Sequence, residues 1–112
     1  MRKTPTANKI LKHPESKRFD QLCKQKLKDN EHKTMDVSHY LLWGNLKQEF
    51  FEVVSAYEKS ECLGLSNKAK FSKFTTKEKL EIELADLANS CRLLFLGLND
   101  IDDEELLGAK TQ

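Results

Sequence analysis

The chain reads as a small all-α domain: an antiparallel bundle of three main helices and a short C-terminal fourth, completed by oligomerisation. Three observations predict it. Apolar residues recur at helical spacing in three long stretches, and no stretch alternates with the two-residue period of a half-buried strand. The only two prolines, Pro5 and Pro14, stand near the N-terminus, so nothing breaks the helices that follow. At 112 residues, the chain supports one domain with an adequate but modest core, which keeps oligomerisation open.

Residues 1–18, with two prolines and many basic side chains, read as a flexible basic arm, and residues 19–112 as the single all-α domain. Phe19, Leu22, Cys23 and Leu27 share one helical face opposite a row of lysines, which predicts a first helix over 15–30. A polar connection follows, and Asp36 is the expected N-cap of a second helix over 37–60. Val37, Tyr40, Leu41, Leu46, Phe50, Val53, Val54 and Tyr57 give that helix an apolar face. Leu42, Trp43 and Phe51 widen it beyond the usual stripe, as expected of a helix buried on several sides. Gly44 inside it would permit close helix packing. Residues 61–74 form a long loop. Thr75 and Glu78 fit a capping box opening a third helix, which runs through Leu80, Leu84, Leu87, Cys91, Leu94 and Phe95 and stops near Gly97. A short fourth helix is expected between Asp100 and Leu107.

The balance of 19 basic and 18 acidic residues, a net charge of +1, argues against a dedicated nucleic-acid binder. No apolar run approaches the ~20 residues that span a bilayer, and the basic N-terminus lacks the apolar stretch of a secretory signal. Three widely spaced cysteines, with no Cys/His metal spacing, read as reduced thiols. A cytoplasmic protein is expected.

The chemistry lies in two acid pairs. Glu49 and Glu52 stand three residues apart, hence on one helical face, and so do Glu83 and Asp86. Each pair sits among apolar residues. If the two long helices pack antiparallel, the four carboxylates converge. Converging carboxylates repel unless a cation neutralises them. Oxygen ligands without Cys or His select a hard ion, Mg²⁺ or Mn²⁺, which completes its shell with waters and phosphates. A polyphosphate ligand is therefore expected. A di-iron bundle would need Glu-x-x-His motifs, and the fourth residues here are Glu52 and Asp86. The plain alternative is two solvated acidic faces.

Glu49-Phe50-Phe51-Glu52 followed by Glu83-Leu84-Ala85-Asp86 resembles the ExxE…ExxD signature of the all-α nucleoside triphosphate pyrophosphohydrolases, which include MazG-like proteins. Upstream, Lys26 to Lys33 (KLKDNEHK) resembles the segment before the metal helix in small MazG-like proteins, so the resemblance covers about residues 19 to 98. It implies Mg²⁺-dependent hydrolysis of a nucleoside triphosphate to the monophosphate and pyrophosphate, as in nucleotide-pool house-cleaning. Glu49, Glu52, Glu83 and Asp86 would be the metal-binding and catalytic residues. It also implies a homodimer or homotetramer in which neighbouring chains complete the pocket. Two features depart from the pattern. Gln48 stands where the family often has a further Glu, which removes a base there, and the interval from Glu52 to Glu83 is long.

Substrate-binding candidates are Lys33 and Arg92 for phosphates, with a surface ion pair as the alternative for Arg92. Asn89 is a candidate for a sugar or base, being an amide inside an apolar helix that needs a partner. Asn30 and His32 are candidates at the pocket mouth, against loop and capping roles. Trp43 is a candidate for base stacking, against an ordinary core role. The competing functional reading is a non-catalytic helical module for nucleotide or metal binding, or for oligomerisation.

Overall fold

The computed structural model describes residues 5–30, 38–68 and 72–99. They form an all-α array: α1 (Ala7–Lys12), α2 (Pro14–Asp29), α3 (His39–Leu63) and α4 (Thr76–Leu98). Among the described residues the only β feature is an isolated bridge between Lys68 and Thr75.

Helical structure begins earlier than the sequence pattern suggests. Thr6 caps α1 by accepting from the Lys9 amide at 3.3 Å. His13 separates α1 from α2 and caps the latter, its Nδ1 accepting from the Glu15 amide at 3.0 Å. Pro14 is the first residue of α2, where its missing N–H is harmless and its fixed φ already suits the helix. The Pro14 that marks an arm in the sequence therefore starts a helix.

Ser38 occupies the N-cap position of α3. Asp36, expected there, lies outside the described residues, as does the expected helix between Asp100 and Leu107. α3 ends at Gly64, whose φ of 82° is left-handed and favours glycine. α4 opens on the anticipated capping box: the Glu78 amide donates to Thr75 Oγ1 at 3.1 Å, and the Thr75 amide donates to Glu78 Oε1 at 2.9 Å.

The ends of α3 and α4 are tied together. The Thr76 hydroxyl donates to the Gly64 carbonyl, the Thr76 amide to the Asn67 carbonyl at 2.9 Å, and the Lys77 amide to the Leu65 carbonyl at 3.1 Å. These bonds turn the long connection into a closed corner, so α3 and α4 run antiparallel as a hairpin. α2 packs on the side of α4 away from α3. The Asn89 amide of α4 donates to the Cys23 carbonyl of α2 at 3.0 Å, and Arg18 bonds Glu81.

The core is thin. Cys23, Leu42, Ala56 and Ala85 are its buried apolar residues, and Ser60, Thr76, Glu83 and Asn89 are buried with them. Ala56 and Ala85 let the helices approach closely. Most of the wide apolar face expected to be buried on α3 is open: Tyr40, Leu41, Trp43, Phe50, Phe51 and Tyr57 are exposed, as is Phe19 on α2. Among the described residues only α4 packs against α3, so much of its circumference stays open. Gly44 does not serve close packing here, since a Cβ placed on it meets nothing within 4 Å. Among the described residues no helix is long and apolar enough to cross a membrane.

Candidate metal centre

Glu49 projects from α3, and Glu83 and Asp86 from α4. The antiparallel hairpin sets these positions side by side, and one carboxylate oxygen from each lies within 4.8 Å of the others. Glu83 is buried, and Glu49 and Asp86 are partly so. Glu49 Oε2 and Glu83 Oε2 are shielded from solvent without a hydrogen-bond partner. Two orphaned carboxylate oxygens in one small cluster are unusual, because an unpaired buried acceptor carries its full desolvation penalty.

The electrostatics follow from this crowding. Burial, then the charges of Glu52, Asp86 and Glu83, push the Glu49 carboxyl up to about 7. Burial likewise raises Asp86, with Glu83 and Glu52 adding to it and Lys26 opposing. Lys79 gives the cluster its direct cation, its Nζ lying 2.9 Å from Glu83 Oε1. That bond raises the lysine's own affinity for its proton.

The donor set suits a hard divalent ion. All three ligands are carboxylates, two bring a free oxygen, and ligands at ~2.1 Å in an octahedron stand about 3 to 4 Å apart. A small adjustment of the present positions reaches that spacing.

The fourth expected carboxylate is displaced from this set. Glu52 stays within electrostatic reach of Glu49 and Asp86, but it lies one turn on at the mouth of a groove and accepts from Gln48 Nε2 at 3.4 Å. The groove, of about 290 Å³, is lined by Gln48, Phe51, Glu52, Ser55, Lys79 and Glu83, among others. It continues past Lys59 and Lys79 into a second recess of about 180 Å³ that reaches Ser72 and Thr75 at the head of α4.

The remaining candidates scatter. Asn89 is buried, and its amide nitrogen is spent on the Cys23 carbonyl, which leaves Oδ1 without a partner. Arg92 does not lean toward the carboxylates. It lines a separate cleft of about 270 Å³ between α2 and α4 with Asp20, Cys23, Lys24, Leu27 and Asn89. Asn30 ends α2, its side chain donating to the Lys26 carbonyl at 3.0 Å. Trp43 is exposed on α3, with Lys47 Nζ 5.8 Å from its ring centre. His32 and Lys33 lie outside the described residues.

Sequence reasoning missed Lys26, Lys59 and Lys79. The i,i+4 spacing of Lys79 and Glu83 was a readable signal. Lys26 comes to the cluster through the packing of α2 on α4, which no local pattern shows. Comparison with known proteins finds no family model, curated protein or solved structure that matches the chain.

Proposed function

We propose that the chain is a Mg²⁺-dependent nucleoside triphosphate pyrophosphohydrolase, acting on an NTP or dNTP to give the monophosphate and pyrophosphate. The observation that carries this reading is the meeting of Glu49, Glu83 and Asp86 with two buried oxygens unpartnered. The ExxE…ExxD pattern adds to it.

In this reading Glu49, Glu83 and Asp86 hold the ion, and Glu52 reaches toward it from the groove mouth. When bound, the ion neutralises the carboxylates and offsets negative charge that develops on the phosphates. Before it binds, Lys79 and a proton on Glu49 serve the same neutralising purpose. Glu49 would give up that proton on holding an ion, so affinity would rise with pH. The groove running from the carboxylates past Lys79 and Lys59 suits an extended anion. Gln48, an amide, positions Glu52 and takes no proton. The free thiols of Cys23, Cys62 and Cys91 suit the cytoplasm.

The test is pyrophosphate release from a panel of normal and modified nucleoside triphosphates with Mg²⁺ or Mn²⁺, beside Asp86→Asn. Release by the wild type and its loss in the variant support the proposal. Silence across the panel, or an unaffected variant, removes it.

A further inference from the structure

The fold orders α1 without using its apolar side chains. At six residues, α1 is too short to persist in water by helix propensity alone. Hydrogen bonds hold it at both ends. Thr6 caps its start, and at its end the Ile10 carbonyl accepts from the His13 amide at 3.4 Å and from the Ser16 hydroxyl of α2. Among the described residues α1 packs on α2 alone, and none of its own residues is buried. Ile10 stays 47% exposed and Leu11 69% exposed.

The apolar residues of α1 share one arc, and basic residues bound it. At roughly 100° per residue, Ala7 falls between Ile10 and Leu11, and the three span about 100° of the helix. Lys9 stands about 100° before Ile10, and Lys12 about 100° beyond Leu11. The charge around them has one sign. Residues 1–14 hold Arg2, Lys3, Lys9 and Lys12 and no acidic residue. The first acid, Glu15, is paired with Arg18 at 2.8 Å. Residues 1–30 hold nine basic and three acidic residues, whereas the rest of the chain holds ten basic and fifteen acidic. The near-neutral total therefore conceals a basic end joined to an acidic remainder.

We propose that α1 docks on the surface of a bilayer that contains acidic phospholipid, with Ile10 and Leu11 at the boundary between headgroups and acyl chains and Lys9 and Lys12 among the phosphates. An interfacial helix needs this pairing of an apolar arc with basic flanks. Lysine stems lie along the apolar boundary while the ammonium groups stay with the headgroups. A nucleic acid would satisfy the lysines through its phosphates, but a phosphate backbone leaves Ile10 and Leu11 in water. The bilayer meets both demands. The acidic remainder of the chain is repelled by the same anionic surface, which turns α1 toward it. Two apolar side chains and a few cations hold weakly, so the docking is reversible. The inference rests on α1 and its charges and not on the metal reading.

The test is co-sedimentation of the full chain, at low salt, with vesicles of phosphatidylcholine alone and of phosphatidylcholine mixed with phosphatidylserine. The wild type is expected to sediment with the mixed vesicles only. Leu11→Ser should lower its partitioning about tenfold. Lys9→Gln and Lys12→Gln should each lower it about fivefold, and Lys47→Gln on α3 should leave it unchanged. Should Leu11→Ser fail to fold, Leu11→Trp in a Trp43→Phe background supplies a second measurement. Its fluorescence should move to shorter wavelength with the mixed vesicles and not with the neutral ones. A folded wild type that ignores the mixed vesicles overturns the proposal, as does an unmoved fluorescence in the Leu11→Trp chain. So does sedimentation undiminished by Leu11→Ser, which would mark attachment by charge alone. Preference for a DNA duplex over the vesicles, lost in the lysine variants and kept in Leu11→Ser, overturns it in favour of a nucleic acid. Vesicle binding by a chain that binds no Mn²⁺ leaves this inference standing and removes the functional one.

Discussion

The two sides of the α3–α4 hairpin solve opposite problems. One side gathers Glu49, Glu83 and Asp86, whose charges repel and whose buried oxygens lack partners. The other gathers Phe50, Tyr57, Leu84 and Phe95, which carry no charge and stay open to water. Each is unfavourable for a lone chain in plain water, the first electrostatically and the second by the hydrophobic effect. The difference lies in what relieves them: a cation for one, an apolar surface for the other. Two neighbouring residues, Glu49 and Phe50, embody the contrast, because one step along a helix turns a side chain by about 100°.

The largest effect that can break this contrast is on the acidic side. Asp86→Asn, nearly isosteric, should lower metal-dependent pyrophosphate release by at least about 100-fold, or roughly 2.7 kcal/mol of transition-state stabilisation. Glu52→Gln, outside the three-oxygen set, should lower it less, and steady-state rates for the pair check the order. Equal losses would return Glu52 to the centre of the site.

Lys79→Met comes next. It removes the ammonium 2.9 Å from the buried Glu83. In EDTA this should destabilise the fold by about 1–3 kcal/mol, the range for leaving a buried acceptor unmet. Added Mn²⁺ should recover most of that loss in thermal melts.

A third effect is pH dependence without metal. Glu49 binds its proton more tightly in the folded chain, up to about 7, than in the unfolded chain near 4.5. The folded state therefore holds more protons between those values. The contribution of Glu49 to stability is therefore greatest below about 4.5 and falls as pH rises toward 7. Glu49→Gln should flatten that slope and raise Tm in EDTA at neutral pH by several degrees. Melts of both proteins across this range check it, and a stability difference, wild type minus Glu49→Gln, that climbs with pH contradicts it.

How much of this was legible in the sequence also divides between the two sides. The i,i+3 spacing of the acid pairs and the Thr75–Glu78 box are local patterns, and helix geometry turns them into positions directly. The reach of Glu52 is not local, because it depends on how far α3 and α4 are offset along their axes. The apolar side misled for a related reason. Periodicity shows that Trp43, Phe50 and Tyr57 share a face, but it cannot say whether this chain or another covers them. α1 escaped notice because six residues are too few for a periodic signal, and Pro14 reads as a breaker unless it is placed at a first helical position.

The smallest effect lies on α3 away from the apolar face. Gly44 is helical, exposed and without neighbours for a Cβ. Gly44→Ala should stabilise the chain by about 0.5–1 kcal/mol through backbone entropy, read as a rise in Tm. A fall instead would put a close-packed neighbour against Gly44.

The central claim is that Glu49, Glu83 and Asp86 form a divalent-metal site, and Mn²⁺ binding followed by electron paramagnetic resonance tests it most directly. Saturable binding by the wild type at neutral pH, competed by Mg²⁺ and lost in Glu83→Gln, is the expected result. No binding by the folded wild type, or undiminished binding by Glu83→Gln, would contradict it.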